Sequence, residues 1–357
     1  PSTRPGFQVE MSREPLGVVG IISPWNFPIA IPAWKAAPAL MCGNAVILKP
    51  ASLTAGSAIA LTEIISNQDI PNGLFNLVLG SGSDIGNKIA THPDIAAITF
   101  TGSVEIGKKL YHDSSPTLKK MQMEMGSKNP LVVMDDADLQ TAITCAANGA
   151  FGGTGQKCTA SSRLIVHENI YKEFVEGLIE NIKNLKVGHA LDEGTQMGPT
   201  SNHNQYESNL NYVEIGKGEA KLAFGGNPMN MRTPGYYMEP TLFVDGDNKS
   251  RINQEEMFGP IACVIPTKNL EDALEIANDT EFGLSSGIIT KSLAKSEYFK
   301  QNIKTGVCTI NLPTAGLDYH VPFGGRKASS FGPREQGTYA KDFYSQVKTS
   351  YINSGSI

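Results

Sequence analysis

The stretch GVVGIISPWNFPIAIPAWKAAPALMCGNAVILKP, which covers residues 17–50, decides the fold. Its first part, GVVGIIS (Gly17–Ser23), is an apolar run that predicts a buried strand. PAWKAAPALMCG (Pro32–Gly43) predicts a helix that ends on a glycine, and NAVILKP (Asn44–Pro50) predicts a second strand that a proline stops. Apolar strands that alternate with helices are typical of a parallel sheet covered on both faces. Such sheets bind ligands beyond the carboxyl ends of their strands.

The same alternation continues along the chain and predicts two α/β domains. Further elements of the first third are predicted at Thr54–Asn67 (helix), Gly73–Gly80 (strand), Asp84–His92 (helix) and Ile95–Ser103 (strand). After Glu124 the alternation is repeated, with a strongly amphipathic helix at Ile170–Leu185. The segments Gly6–Glu14 and Asp342–Ile352 alternate in polarity and predict exposed strands, which would serve as edges in a homodimer or homotetramer.

The composition narrows the classes of function. The 357 residues carry a net charge of −5 and no basic run, which does not favour a nucleic-acid partner. No apolar run reaches the length of a membrane span, and the polar first residues predict no signal peptide. The cysteines are odd in number and widely spaced, so we expect reduced thiols and a cytoplasmic location. They are Cys42, Cys145, Cys158, Cys263 and Cys308. No CxxC, HExxH or pair of histidines has the spacing of metal ligands, so we expect no metal site.

Two residues in unusual contexts are candidates for chemistry. Cys158 ends the glycine-rich stretch GAFGGTGQKC, just before a predicted strand. It is either a small buried thiol or a nucleophile at the floor of a pocket. Asn26 lies between Trp25 and Phe27 in SPWNFP, where flanking prolines fix the loop. It is either a turn residue or a rigid amide donor for an oxyanion.

Four further motifs follow strands or apolar stretches. Lys49 ends a strand at the edge where nucleotides bind, although a strand-end lysine is commonly only solvated. Gly102 and Ser103 open a helix in FTGSVEIG, and this arrangement suits a phosphate. Glu124 in MEMGSKNP is either paired structurally or a general base. Glu256 in QEEMFGP is either functional or part of a solvated acidic turn.

Together and in this order, the motifs resemble those of the NAD(P)-dependent aldehyde dehydrogenases. PWNFP, FTGS, MEMGSKNP, GQKC, EEMFGP and PFGGRKASSFG follow one another as in that family, and the resemblance covers essentially the whole chain. The separation of Glu124 and Cys158, 34 residues, is the one expected in the family. The resemblance implies an α/β fold with a Rossmann-type parallel-sheet cofactor domain, an α/β catalytic domain and a small β extension for oligomerisation.

The resemblance also implies individual roles. Cys158 matches the nucleophile, Glu124 the general base, and Asn26 the side-chain donor to the oxyanion, with the backbone N–H of Cys158 as the second donor. The glycines before Cys158 are expected to let substrate and cofactor approach the backbone. The cofactor is NADP or NAD, and the residues implied to hold it are Ser23, Pro24, Trp25, Lys49, Ser52, Gly102, Ser103, Met125, Gly126, Glu256 and Phe258.

The family's chains imply four segments here. We expect an oligomerisation strand at residues 1–14, a cofactor-binding domain at 15–123, a catalytic domain at 124–325, and a return segment with a second oligomerisation strand at 326–357. Family members usually begin well before the segment that matches Pro1. The chain is therefore expected to be truncated at its N-terminus and to lack part of the cofactor domain.

Cofactor preference and substrate follow from two local features. NAD-preferring members often carry Glu where this chain has Ser52, and that carboxylate would repel a 2′-phosphate. Ser52 leaves Lys49 able to pair with the phosphate, so we expect NADP to be accepted. The segment Asn311–Gly337 resembles the 2-oxoglutarate semialdehyde (2,5-dioxopentanoate) dehydrogenases. The residues proposed to contact this anionic aldehyde are Phe27, Trp34, Lys157, Arg163 and Arg326, of which the last three supply positive charge.

Three alternatives remain open at this stage. Another semialdehyde, such as succinate semialdehyde, is possible, although bacterial enzymes for it often have Arg near the position of Trp34. Coenzyme A could take the acyl group in place of water, but acylating relatives tend to lack the base at Glu124. An inactive scaffold or binding protein is the third, favoured only by the expected truncation.

Overall fold

The strand–helix–strand pattern of residues 17–50 is confirmed in the computed structural model, which describes residues 2–353 and 355. The parts of the predicted terminal segments that fall on Pro1, Ser354, Ser356 and Ile357 lie outside the described residues. The chain divides into two units. The first unit comprises Pro1–Glu124, Asp318–Phe323 and Phe331–Ile357, and the second comprises Met125–Leu317 and Gly324–Ser330. The functional assignment of the four predicted segments stays a prediction.

The strands and helices are numbered in chain order. The strands are β1 (Phe7–Pro15), β2 (Val18–Ile22), β3 (Ala45–Lys49), β4 (Phe75–Leu77), β5 (Ile95–Thr101), β6 (Lys120–Glu124), β7 (Asn129–Val133), β8 (Ser161–His167), β9 (Lys221–Phe224), β10 (Thr241–Val244), β11 (Ile261–Thr267), β12 (Ser285–Ile289), β13 (Val307–Ile310), β14 (Ser330–Phe331) and β15 (Ser345–Asn353). The α-helices are α1 (Ala30–Met41), α2 (Ala55–Ser66), α3 (Asn87–Thr91), α4 (Val104–Ser114), α5 (Leu139–Phe151), α6 (Tyr171–Lys183), α7 (His203–Glu219), α8 (Arg251–Gln254), α9 (Leu270–Asn278), α10 (Leu293–Asn302) and α11 (Ala340–Tyr344).

Parallel strands form the centre of the first unit. Strands β6, β5, β2, β3 and β4 lie side by side in that order, and each pair of neighbours is parallel. The chain runs outward from β2 to β3 and β4, and then returns to the other side of β2 as β5 and β6. The strand order therefore reverses between β2 and β5, and ligands of open α/β sheets bind at the carboxyl end of such a switch point. Val19, Ile21, Val46 and Leu48 are fully buried and form the core here.

The second unit contains a seven-stranded sheet in the order β13-β12-β7-β8-β11-β10-β9. Six of these strands are parallel, and the edge strand β9 is antiparallel to β10. Helices α5 and α6 contribute to one hydrophobic cluster with the sheet, and α9 and α10 contribute to another. Strands β7 and β8 are buried along almost their whole length, as expected of parallel strands covered on both faces.

The predicted exposed strands pair with each other. Strand β1 lies antiparallel to β15 along nine residue pairs, from Phe7↔Asn353 to Pro15↔Ser345. The prediction that the second strand begins at Asp342 is wrong, because residues 342–344 belong to helix α11. Phe343 and Tyr344 are buried in the core of the first unit, which favours the helix over the alternating strand. The oligomerisation role of the β1–β15 pair stays a prediction.

Two boundaries in the first unit also differ from expectation. The helix predicted at Asp84–His92 is divided into a π-helical turn, Gly82–Gly86, and the short α3. The strand predicted at Gly73–Gly80 is reduced to the three residues of β4. Within the part of the chain that the structure describes, we find no helix with both the length and the apolarity needed to cross a membrane.

Candidate active site

Cys158 lies in a turn between a glycine-rich 3-10 segment and β8. The segment Gly152–Gly155 follows α5, and Gly153, Thr154 and Gly155 all have positive φ angles of 60–65°. Because only glycine adopts this conformation without strain, the glycines allow the chain to reverse before the cysteine. The turn is closed by a hydrogen bond from the N–H of Ala160 to the carbonyl of Lys157, at 3.0 Å. The turn therefore precedes β8 and lies at the amino-terminal end of that strand.

At two positions of this stretch, neighbouring protein atoms leave no room for a side chain, so glycine is needed there whether or not a ligand binds. A Cβ on Gly155 would overlap the carbonyl oxygen of Gly259, and one on Gly149 would lie 2.5 Å from Oγ of Ser161. The expectation that these glycines let substrate and cofactor approach is thus corrected for Gly149 and Gly155. Tight internal packing is what excludes a side chain there.

Buried side chains hold the carbonyl groups of the Cys158 turn. Nδ2 of Asn129 donates to the carbonyls of Cys158 (2.8 Å) and Ala160 (2.9 Å). Oγ1 of Thr314 donates to the intervening carbonyl of Thr159 at 2.7 Å. Asn129 and Thr314 are both buried. The sequence analysis missed these two residues, and only the position of Asn129 at the start of an apolar strand marks it as unusual.

Glu124 ends β6 and is buried, with 3% of the residue exposed. Its Oε1 accepts a hydrogen bond from Nε2 of Gln122 at 3.2 Å. Oε1 of Gln122 in turn accepts from Oγ1 of Thr99 (2.6 Å) and Nζ of Lys35 (3.3 Å). Lys35 forms a buried ion pair with Glu335. A polar network therefore supports the Glu124 carboxylate within the first unit.

The sequence analysis missed Lys35 and Glu335. The available signal was a single lysine in the otherwise apolar PAWKAAPAL segment. A lysine that folding leaves with no exposed surface needs a partner, since an unpaired buried charge is costly. The partner is 300 residues away in the sequence, so local pattern did not reveal it.

The residues predicted to hold the adenosine and phosphate groups lie at the carboxyl ends of β2, β3 and β5. Ser23 follows β2, and its N–H donates to the carbonyl of Lys49 at 3.1 Å. The buried hydroxyl of Ser23 has no hydrogen-bond partner among the described residues. Nζ of Lys49 donates to the carbonyl of Pro50 at 2.8 Å, and burial lowers the pKa of this amine. The sequence analysis had placed Lys49 at the carboxyl end of a strand, which is where parallel sheets bind ligands, and the structure confirms that position.

Gly102 and Ser103 connect β5 to the eleven-residue α4. The hydroxyl of Ser103 caps the helix by accepting from the N–H of Ile106 at 3.4 Å. A Cβ on Gly102 would lie 2.5 Å from the ring of Phe100, so glycine is required for packing. Ser52 is exposed in a short 3-10 helix after β3. Pro24 and Trp25 belong to the loop after β2.

In the second unit, Glu256 packs against the segment that follows Glu124 in sequence. Its Oε1 accepts from the N–H of Ser127 at 2.8 Å, and a Cβ on Gly126 would overlap its Oε2. Part of the residue reaches the surface, but burial of the carboxyl group raises its pKa to about 7. Lys128 is fully buried, its Nζ has no hydrogen-bond partner among the described residues, and burial lowers its pKa to about 7. Desolvation thus drives both groups toward their neutral forms.

The remaining predicted residues lie in different settings. Met125 is buried after β6, and Phe258 has a positive φ of 53°. Phe27 and Trp34 lie in the first unit, with the Trp34 ring 6.4 Å from that of Phe323. Lys157 is half-buried in the Cys158 turn, and burial lowers its pKa. Arg326 is exposed in the second unit.

Arg163 is corrected as a candidate partner of the substrate. It is fully buried on β8, and all five of its N–H donors bond within the protein. The acceptors are the carbonyls of Lys128, Ile276 and Ala277 and Oδ1 of Asn248, at 2.9–3.1 Å. A guanidinium with no donor left cannot also bind a substrate carboxylate. Arg163 is a structural residue that joins three segments of the second unit.

The described residues contain no group of three or more His, Cys, Asp or Glu side chains placed to hold a metal ion. No disulfide joins any two of the five cysteines, all of which lie within the described residues.

Comparison with known proteins identifies the class to which these two α/β units belong. Residues 1–350 match the aldehyde dehydrogenase family, and the chain belongs to this family. It is 44% identical over 355 residues to the alpha-ketoglutaric semialdehyde dehydrogenase of Bacillus subtilis strain 168, covering 99% of this chain and 73% of that protein. It is 43% identical over 348 residues to a betaine aldehyde dehydrogenase of Brucella anthropi, covering 97% of this chain and 71% of the relative.

A solved structure confirms the fold. The betaine aldehyde dehydrogenase of Staphylococcus aureus, crystallised with NAD+, superposes with a TM-score of 0.96 at 32% identity. The match covers 100% of this chain and 71% of that protein. The α/β architecture expected from the sequence is therefore that of the aldehyde dehydrogenases.

Proposed function

We propose that this protein oxidises an aldehyde to a carboxylic acid with NADP or NAD, and that the thiol of Cys158 is the nucleophile. The observation that carries the proposal is the cysteine's position in a turn whose three consecutive carbonyls are held by buried side chains. Fixed geometry of this kind suits a group that must meet a substrate in one orientation. Membership of the aldehyde dehydrogenase family supports the same chemistry.

The residues of the first unit fit a dinucleotide. Among the residues that the structure describes, the buried hydroxyl of Ser23 at the switch point has no hydrogen-bond partner, and Ser103 caps helix α4, which is joined to β5 by Gly102 and Ser103. Helix N-termini in this position favour phosphate groups. When bound, the cofactor supplies the acceptor for a hydride. We propose residues 15–123 as the cofactor-binding domain and residues 124–325 as the catalytic domain, with Glu256 and Phe258 at the nicotinamide side.

The proposed chemistry begins with the Cys158 thiolate. It adds to the aldehyde carbon, and the carbonyl oxygen becomes an oxyanion in a thiohemiacetal. The amide of Asn26 and the backbone N–H of Cys158 are the proposed donors to this oxyanion, and loss of one such donor typically slows turnover about 100-fold or more. Loss of a hydride from the same carbon leaves a thioester on Cys158.

Glu124 is proposed to complete the reaction. Its carboxylate removes a proton from water, the water oxygen attacks the thioester carbon, and the acid leaves as the Cys158 thiolate is restored. The hydrogen bond from Gln122, itself held by Thr99 and Lys35, fixes the orientation of the carboxylate. Hydrolysis by water is favoured over transfer to coenzyme A because this base is retained.

The proposed substrate is 2-oxoglutarate semialdehyde. The relative from Bacillus subtilis supports this choice, as do Lys157 and Arg326, two cations of the second unit that remain candidates for its carboxylate. Betaine aldehyde is a second candidate, supported by the relative from Brucella anthropi. Its quaternary ammonium would require aromatic faces in place of cations, and Phe27 and Trp34 are the proposed residues for that case.

Three further predictions are retained as proposals. The exposed β1–β15 pair is proposed as an edge for a homodimer or homotetramer. A cytoplasmic location is proposed from the odd number and wide spacing of the cysteines, which form no disulfide with one another. We propose no nucleic-acid or membrane partner, in keeping with the net charge of −5.

The test is NAD(P)H formation with 2-oxoglutarate semialdehyde, succinate semialdehyde, betaine aldehyde and an uncharged aldehyde side by side. Lys157→Met and Arg326→Met are compared with Lys300→Met, which removes an exposed lysine of α10. We expect the first aldehyde to be preferred. At least one of the two test variants should raise its KM, with little effect on the uncharged aldehyde. If NAD(P)H forms fastest with betaine aldehyde, that compound replaces 2-oxoglutarate semialdehyde as the proposed substrate. If no aldehyde gives NAD(P)H, the proposed activity is refuted.

A further inference from the structure

Two buried residues outside the proposed catalytic set, Asn129 and Thr314, donate hydrogen bonds to backbone carbonyls of the Cys158 turn. We call these two residues the braces of the turn. Asn129 opens β7, and Thr314 lies in the segment after β13. Both lie in the second unit with Cys158. Neither is exposed to more than 2%, so neither is available to a substrate. Their polar groups are directed instead at the backbone of the turn.

Asn129 uses its complete hydrogen-bonding capacity. The two N–H groups of its amide donate to the carbonyls of Cys158 and Ala160, as described above. Its Oδ1 accepts from the N–H of Ser285 at 2.9 Å and from the hydroxyl of Ser127 at 2.7 Å. An amide can make four hydrogen bonds, and this one makes all four. The donor from the Ser285 backbone also fixes which side of the amide faces the turn.

Thr314 is held just as firmly. Its hydroxyl donates to the carbonyl of Thr159 and pairs with the hydroxyl of Ser161 at 2.6 Å. The carbonyl of Thr314 accepts from the hydroxyl of Ser285 at 2.8 Å. Ser161 and Ser285 are fully buried. One connected group of buried polar residues therefore joins the two braces.

The braces set the direction of the peptide groups around the cysteine. The carbonyls of Cys158, Thr159 and Ala160 point to the braces, while that of Lys157 accepts the bond that closes the turn. Because a trans peptide is planar, fixing a carbonyl also fixes the N–H on its other side. The N–H of Cys158, a proposed oxyanion donor, is aimed opposite to the Lys157 carbonyl. Four consecutive peptide planes are thus fixed by hydrogen bonds.

We propose that Asn129 and Thr314 are positioning residues that hold Cys158 in its reactive orientation. This inference rests on the proposed function of Cys158 as the nucleophile. Both residues act through the backbone of the turn and touch neither substrate nor cofactor. A misplacement of about 1 Å in a reacting group can slow a reaction about 100-fold, so loosening the turn should lower kcat more than it changes KM.

The decisive variants alter one hydroxyl. Thr314→Val keeps the shape of the side chain and removes the donor, and Thr314→Ser restores the donor. Thr305→Val is the matched control, because this buried threonine bonds to Ser286 and Val307 and not to the turn. Asn129→Asp is a second, isosteric variant that places carboxylate oxygens against the carbonyls of the turn. Folding of each is checked by circular dichroism.

Two experiments are made on each variant. The first determines kcat and KM for NAD(P)H formation. The second determines the rate of alkylation of Cys158 by iodoacetamide relative to that of Cys42 in the same molecule, resolved by peptide mass spectrometry. Cys42 is half-buried in the first unit and reports any general loosening of the fold. The alkylation ratio does not depend on turnover, so it tests the brace even if the proposed activity fails.

We expect Thr314→Val to lower kcat about tenfold or more with KM changed less than about threefold. The Cys158 to Cys42 alkylation ratio should fall severalfold. Thr314→Ser should restore both quantities to within about twofold of wild type, Thr305→Val should leave both unchanged, and Asn129→Asp should act like Thr314→Val or more strongly. Wild-type values of kcat and of the alkylation ratio in a folded Thr314→Val protein would overturn the inference. So would equal losses in Thr314→Val and Thr305→Val.

Discussion

Replacing Gly155 by alanine should be the most damaging of the alanine substitutions in the glycine-rich approach to Cys158. The added Cβ would lie 2.5 Å from the carbonyl carbon of Gly259 and 3.0 Å from the carbonyl oxygen of Ala150. Both neighbours are backbone atoms and cannot turn aside. Gly155 also has a φ of 65°, which costs an alanine about 1–2 kcal/mol. Overpacking adds about 1–3 kcal/mol, for a total loss of about 2–5 kcal/mol.

The control substitutions separate these two contributions. Gly153 has a φ of 63°, but its added Cβ meets only Cε of Lys157, at 2.8 Å, near the end of a flexible side chain. Gly153→Ala should therefore lower the free energy of unfolding only by the cost of a positive φ for alanine, about 1–2 kcal/mol. Gly198 has open space around the new Cβ, so Gly198→Ala should be neutral or gain up to about 1 kcal/mol.

The assay is urea unfolding followed by far-ultraviolet circular dichroism, with the midpoint compared among the three variants. The predicted order of stability is Gly198→Ala, then Gly153→Ala, then Gly155→Ala. Gly155→Ala should also lower the rate of NAD(P)H formation, because the displaced chain leads directly into the Cys158 turn. A Gly155→Ala protein as stable as Gly153→Ala would refute the close packing on Gly259.

Three other predictions concern buried or charged groups. Lys35→Met should lower the free energy of unfolding by about 3–5 kcal/mol, because it leaves the buried carboxylate of Glu335 unpaired. The double variant with Glu335→Leu should recover part of the loss in a double-mutant cycle measured in urea. Burial raises the pKa of Glu256 to about 7, so the stability it contributes is full below pH 4.5 and is lost as the pH rises through about 7. Between these pH values the free energy of unfolding of Glu256→Gln should fall less than that of wild type. An equal fall in the two proteins would contradict the raised pKa of Glu256. Ser52→Glu should raise the KM for NADP at least tenfold and leave that for NAD within about threefold, and unchanged NADP kinetics would refute a 2′-phosphate beside this residue.

The parts of the fold that sequence pattern predicted well are those with strong local signals. Strands β2 and β3 are continuous apolar runs bounded by Gly or Pro, and their positions were confirmed within one residue at each end. Lys49 ends β3, so its place at the ligand-binding edge of the sheet followed from the strand pattern alone, whereas Ser23, directly after β2, was supplied by the family resemblance. The amphipathic helix α6 was predicted two residues too long at its C-terminal end.

The errors come from long-range packing. The segment 342–352 alternates like a strand, but Phe343 and Tyr344 are buried and form part of a helix. Arg163 has the charge expected of a substrate ligand, yet carbonyls more than 100 residues away, at Ile276 and Ala277, take its donors. Nothing near Arg163 in sequence indicates those partners. Burial of a charged residue is decided by the tertiary fold and not by local pattern.

The braces of the Cys158 turn were missed for a related reason. Asn129 belongs to a motif that the family resemblance supplied, but its contacts depend on the pairing of β7 with β8 and β12. Thr314 lies 156 residues after Cys158, in a segment without regular structure. The sequence could identify the reactive thiol as a candidate, whereas the residues that orient it emerged only from three-dimensional contacts.

The most direct test of the account is the formation of NAD(P)H from 2-oxoglutarate semialdehyde by wild type and by Cys158→Ser, under identical conditions. The account predicts steady turnover for wild type and a loss of at least about 1,000-fold for Cys158→Ser, since the weakly acidic serine hydroxyl forms a far poorer nucleophile than a thiol. Turnover by folded Cys158→Ser at a rate near that of wild type would contradict the central claim that this thiol attacks the aldehyde.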